Sequence, residues 1–360
     1  MKIFCLTTLQ IVTLFACGLL QAQVMETFDV PGATATLPSS INSSGVITGV
    51  YRQPSAPAMS FVRNPNGIIT TFGVPEAITT WAYSINPSGV ITGFYDVQES
   101  QAGPAHHGFI RDGEGQFTTF DVPGAGSTVP ITINASGAVA GYYLAPNGAA
   151  AFLRHQSGEI VTFSISGATA TVALSINNAG EITGYYQKPE FGVGVVRSFL
   201  RSPNGAITSF DATTEAANGI VTTTPTCISA GGLITGFYGR GNELGGAHGF
   251  VRDRKGHLSP IDPPDSLEIL PAAINPSGVI VGTYFDNDWV LHGFIRNNQG
   301  AIITFDGPGA DVKFNGTRAV SINASGDVTG SYRTGTFTDP QSAYLGWHGF
   351  ILTDKAKAGH

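Results

Sequence analysis

The chain has 360 residues, of which 47 are Gly and 21 are Pro, and only 12% are charged. So much turn chemistry beside Thr, Val, Ile, Phe and Tyr excludes a helical bundle and points to an all-β chain. A formal charge of −7, with no Lys or Arg clusters, excludes a nucleic-acid-binding surface.

Residues 1–22 read as a secretory signal: Lys2 is a minimal basic start, Ile3 to Leu20 is apolar, and Leu20-Gln21-Ala22 precedes a cleavage site. The apolar stretch is short for a membrane span and Gln10 interrupts it. A minor alternative is a lipobox at Leu14-Phe15-Ala16-Cys17, which would leave Cys17 lipidated; Phe15 fits that pattern poorly. Cleavage at Ala22 leaves Cys227 as the single thiol, so no intrachain disulfide forms and packing must supply stability. The expected location is extracellular or periplasmic, with no integral span in the mature chain.

From 23 to 354 one pattern recurs, as in Ser84-Ile85-Asn86-Pro87-Ser88-Gly89-Val90-Ile91-Thr92-Gly93-Phe94-Tyr95. Its lead residues are Asn42, Asn86, Asn134, Asn177, Ser229, Asn275 and Asn323, at spacings of 43 to 52 residues. A period of that length made of short strands is the mark of propellers and arrays. Each repeat carries four strand-like segments, called A to D from the presumed axis outward. In the second repeat A ends at Ile85, B is 91–95, C is 108–111 and D is 118–122. Four antiparallel strands make a propeller blade.

The A–B turn reads Asn-x-x-Gly and the C–D turn also ends on Gly. Both fit a type I turn followed by a left-handed glycine, with the Asn side chain bonding its own backbone. Strand B carries Gly49, Gly93, Gly141, Gly184, Gly236, Gly282 and Gly330, each followed two residues on by Tyr, and strand C carries Phe61, Phe109, Phe152, Phe199, Phe250, Phe294 and Phe350. These positions are expected in the core, with the glycines admitting a close neighbour. The B–C and D–A connections vary in length and share one end of each blade, where function usually sits.

The mature chain opens with a D-like strand at 26–30 and closes with an A, B and C set ending at 352. The expected fold is therefore an all-β, seven-bladed β-propeller of four-stranded antiparallel blades, its last blade closed by the N-terminal strand. Residues 355–360 have no pattern and are expected to be a disordered tail.

Four repeats carry His before the Gly-Phe of strand C: His107, His248, His292 and His348. Adjacent strands lie about 4.8 Å apart, which puts third strands far from the axis and from one another, so these histidines cannot share a metal. The C–D register instead sets each opposite an acid: His107 with Asp121, His248 with Asp262, His292 with Asp306 and, across the chain ends, His348 with Asp29. Arg197 faces Asp211, whereas Met59 faces Gly73 and Ala150 faces Ser164; where the base is lost, so is the acid. That covariation within one chain reads as structural pairing. No catalytic motif, metal site or cofactor-binding motif is found. The candidate ligand-binding residues are those of the loop end: Trp81, Trp289 and Trp347 with the acids Asp286, Asp288, Glu243 and Asp265.

The Ile-Asn-x-x-Gly-x-Ile-x-Gly-x-Tyr pattern followed by His-Gly-Phe resembles the extracellular repeat family named for its His-Ala-Phe triplet. The resemblance covers 26–353; Gly replaces the Ala, Arg stands where that family often shows Trp, and three of seven copies lack the His. It implies an exported bacterial repeat protein and brings no catalytic set. The functional expectation is a monomeric binding or scaffold module for an unidentified carbohydrate or protein ligand. The alternative is a propeller enzyme, a lyase or glycan-acting hydrolase, with its site on the loop face.

Overall fold

The structure is a computed structural model that describes residues 9–11, 23–99, 103–190, 193–212, 221–240, 246–310, 315–335 and 345–354. All its regular elements are strands, and no helix among the described residues is long and apolar enough to cross a membrane. Most of the expected signal, including Cys17, and the tail at 355–360 lie outside the described residues.

The strands pair antiparallel in sets of four, in chain order. In the first repeat these are Ala35–Ile41, Ile47–Arg52, Met59–Arg63 and Ile69–Phe72. Repeats two to six follow the same plan. The seventh has Thr317–Ile322, Val328–Arg333 and Trp347–Asp354, and its fourth strand is Gln23–Phe28, which pairs with the last from Gln23↔Asp354 to Phe28↔Gly349. Leu9–Ile11 adds outside it, opposite Val24–Glu26. The last repeat also meets the first: Trp347 bridges to Ala35 in parallel, and Gly346 N donates to Thr34 O at 2.9 Å.

The invariant glycine of strand B has a specific cause. Strand A bulges at one place in every repeat, between Pro38 and Ser40 in the first and between Ala82 and Ser84 in the second. The bulge pushes a strand-A carbonyl at strand B, where a Cβ on Gly49 would lie 2.3 Å from Leu37 O and one on Gly93 1.8 Å from Trp81 O. The strand-C phenylalanines are all 0–1% exposed and fill the space between repeats.

The Asn-x-x-Gly turns are formed as expected: Asn86 Oδ1 accepts from the Ser88 and Val90 amides at 3.0 Å, and Gly89 sits at φ 79°. The amide nitrogens make a second set of bonds that the sequence did not disclose. Asn42 Nδ2 donates to Asn86 O (3.2 Å), Asn86 to Asn134 O (3.2 Å), Asn134 to Asn177 O (3.1 Å) and Asn177 to Ser229 O (3.2 Å). Asn275 donates to Asn323 O (3.3 Å) and Asn323 back to Asn42 O (3.1 Å), 281 residues away in sequence. The circuit breaks at Ser229, whose hydroxyl serves the Leu233 amide (3.0 Å) and which has no nitrogen to reach Asn275. Ser229→Asn should supply the missing bond and stabilise by about 1 kcal/mol. An unchanged denaturation midpoint would show that the circuit contributes nothing.

Candidate functional site

The A–B and C–D hairpins gather at one end of the strands and the B–C and D–A connections at the other. At that second end the second and fourth repeats have the longest B and C strands, nine residues each: Ile91–Glu99 and Gly103–Arg111 in the second, Ile182–Glu190 and Val193–Arg201 in the fourth, against Ile47–Arg52 for strand B of the first. In the second repeat strand pairing sets Asp96 directly opposite both Thr79 on strand A and His106 on strand C.

Asp96 is 8% exposed and both of its carboxylate oxygens are engaged. Thr79 Oγ1 donates to Oδ2 at 2.5 Å, and His106 Nδ1 lies 2.5 Å from Oδ1. The carboxylate acts as acceptor, so Nδ1 carries a proton; the His106 side chain is 39% exposed. One step further along the same sheet face lie Trp81 and Phe94, stacked at 6.0 Å and 7°. Phe94 also packs against His106 at 4.6 Å and Tyr83 at 5.6 Å. Arg52, from the first repeat, lies over the Trp81 ring at 5.5 Å. Burial, then the nearby Tyr142 and Asp96, push the Tyr83 phenol up to about 12, so it is a neutral donor at pH 7. The result is a polar group of Thr, Asp and His walled by aromatic rings and flanked by a guanidinium.

Trp81 belongs to this cluster, and the other candidates do not. Trp347, a candidate ligand-binding residue, is only 6% exposed, with the Arg318 guanidinium 4.4 Å from its ring centre. Strand pairing buries it, because it joins the last repeat to the first. Trp289 is half-buried against Phe285 at 5.8 Å and takes φ 63° in the turn of the sixth B–C hairpin. Asp286 builds that turn: Oδ1 accepts from the Asp288 and Val290 amides at 2.9 and 2.8 Å, and Oδ2 lies 3.2 Å from His292 Nε2. Burial works against its charge, but these bonds hold its carboxyl below the usual range. Asp288 is exposed on the same turn, and Asp265 is exposed at φ 59° in the preceding D–A turn. Glu243 lies outside the described residues.

The histidine–acid pairs are made. Nδ1 lies 2.8 Å from the carboxylate in His107–Asp121, 3.3 Å in His248–Asp262, 2.9 Å in His292–Asp306 and 2.8 Å in His348–Asp29, and Arg197–Asp211 closes at 2.5 Å. Each of these imidazoles also lies 5.1 to 5.5 Å from the strand-B tyrosine of its own repeat. Among the described residues no three His, Cys, Asp or Glu gather as a metal site. The hydrogen bond to Asp29 raises the His348 pKa, against desolvation and with help from the carboxylate charge. A raised folded-state pKa means stabilisation fully present below the ordinary His value of about 6.5 and lost as pH climbs through the folded value. Asp29→Ala should therefore cost below about 1 kcal/mol at pH 6 and less at pH 8. Denaturation curves showing the same cost at both would remove the charge from the account.

The sequence held a trace of the Asp96 cluster. Asp96 stands where other repeats have Arg52, Leu144, Gln187, Gly239, Phe285 and Arg333, and His106 makes a double His found in no other copy. At the opposite, tight-turn end a cavity of about 250 Å³ opens between repeats five and six, away from the end where a ligand site was expected.

Known structures place the fold in a class. The chain is similar to a streptogramin B lyase structure (TM-score 0.55, 16% identity, 92% of this chain and 97% of that one). It is similar to virginiamycin B lyase from Staphylococcus aureus (0.56, 12%, 92% and 99%). It is also similar to the β-propeller domain of the Trilobed protease from Pyrococcus furiosus, described as having an open velcro topology (0.60, 12%, 90% and 94%). At these identities the likeness shows the fold alone: the chain is an all-β protein of the β-propeller class. In sequence it matches no protein-family profile and no curated protein.

Proposed function

We propose that the chain is an exported, monomeric, seven-bladed propeller of the His-Ala-Phe repeat kind, closed by its N-terminal strand. In this reading it is a binding or scaffold module that holds a carbohydrate or protein ligand on its loop face. The seven repeats, the pairing of Gln23–Phe28 with Trp347–Asp354 and the Asn323-to-Asn42 bond support the closed ring. The observation that carries the site is the Thr79–Asp96–His106 cluster beside Trp81 and Arg52. It breaks the repeat pattern at one sector of the loop face and combines a ring surface, a cation and an imidazole, the contact chemistry of a recognition site.

The same dyad favours one second reading. A carboxylate that orients an imidazole is the geometry of a general base, so a propeller lyase or hydrolase would centre on His106. A glycan and peptide array probed with the purified protein, with product analysis of every hit, separates the two. Binding without turnover, lost in Trp81→Ala and weakened in Asp96→Ala, is the expected result. Turnover lost in His106→Ala supports the enzyme, and hits unaffected by all three changes refute this site.

A further inference from the structure

At five joints between repeats the arginine ending strand C lies over the strand-D phenylalanine of the preceding repeat. The distances are 4.9 Å for Arg63 over Phe28, 4.8 Å for Arg111 over Phe72 and 5.0 Å for Arg154 over Phe120. They are 4.9 Å for Arg201 over Phe163 and 4.7 Å for Arg252 over Phe210. The joint between repeats five and six breaks the rule. Strand D of repeat five is Leu258–Ile261, and Ile261 stands where the ring would be. Arg296 keeps its bond to the Asn297 carbonyl (3.3 Å), and no ring among the described residues lies over its guanidinium.

The 250 Å³ cavity opens at this joint. Two of its walls, Leu233 and Val251, pack in the same apolar cluster as Ile261, so the void borders the place of the missing ring. Arg296 forms another wall, and Ser259, Ser277 and Asn298 bring hydrogen-bond donors. Asp253 and His257 complete the rim but are bonded to each other, Oδ2 to Nδ1 at 3.0 Å.

We propose that this cleft binds a small aromatic carboxylate, its ring stacked on the Arg296 guanidinium that no phenylalanine covers and its carboxylate held by the Ser259, Ser277 and Asn298 donors. A guanidinium face without a π partner favours a flat ring over an aliphatic group. The volume lies below the roughly 300 Å³ at which pockets for drug-sized ligands begin, which suits one substituted ring. The cleft shares no residue with the loop-face cluster, so either reading can fail without the other.

The test is a titration of the full chain with sodium benzoate, followed by ligand-observed NMR, with cyclohexanecarboxylate as the non-aromatic control. Saturable benzoate binding is expected, with weaker binding of the control. Arg296→Lys keeps the charge but loses the flat face, and should weaken benzoate roughly tenfold, the size of one half-buried cation–π contact. Ile261→Phe restores the ring found at the other joints; it should abolish binding and raise the melting temperature. No saturable binding to the wild-type chain, or the control binding as well as benzoate, overturns the proposal, as does benzoate affinity unchanged in Arg296→Lys. That last comparison decides even if Ile261→Phe does not fold.

Discussion

Deleting residues 23–31 should destabilise the protein by about 5 kcal/mol or more and drive it into oligomers. The segment buries Val24, Met25, Phe28 and Val30, all at most 9% exposed, and such side chains are each worth roughly 1.5–3 kcal/mol. It also holds the first repeat: Glu26 pairs with Arg63, whose guanidinium is stacked over Phe28 and whose side chain is 2% exposed. Without its partner that charge is left buried and unpaired. Trp347–Asp354 would then present a bare strand edge, which invites pairing with another chain. Calorimetry and size-exclusion chromatography read both effects. A deletion variant that is monomeric and melts with the parent would show that the first strand does not close the ring.

Gly93→Ala should cost about 3 kcal/mol. The new Cβ would lie 1.8 Å from Trp81 O and 3.0 Å from Ala82 Cα, both backbone atoms fixed by strand pairing at the bulge. Neither can yield as a side chain would. Gly89→Ala, four residues earlier, is the control: it has open space around it, and its φ of 79° exacts only the left-handed penalty of about 1–2 kcal/mol. Equal midpoint shifts in urea would mean that conformation, not contact, fixes the strand-B glycine.

The sequence disclosed what is local or repeated. Strands, turns and the strand-B glycine each depend on neighbours within one hairpin, and the strand-C phenylalanine, which packs between repeats, stands out because internal copies supply a comparison at every position. The His–Asp partners were legible for the same reason, since equal C–D hairpins impose one register. Contacts between repeats were not legible. The Asn amide bonds and the Arg–Phe stacks need the neighbouring repeat in place, and no spacing announces them. The burial of Trp347 is not legible because a ring in a long connection looks the same whether it caps a sheet or faces solvent. The Asp96–His106 cluster was passed over because it occurs once, and a reading built on periodicity gives weight to what recurs.

The most direct test of the account is hydrogen–deuterium exchange on the protein with a hit from the glycan and peptide array bound. The loop-face site predicts new protection in 79–83, 94–98 and 104–108, with the Asn-x-x-Gly turns at 86–89 and 275–278 unchanged. Protection centred on those turns, with the Asp96 region exchanging as in the free protein, would contradict it.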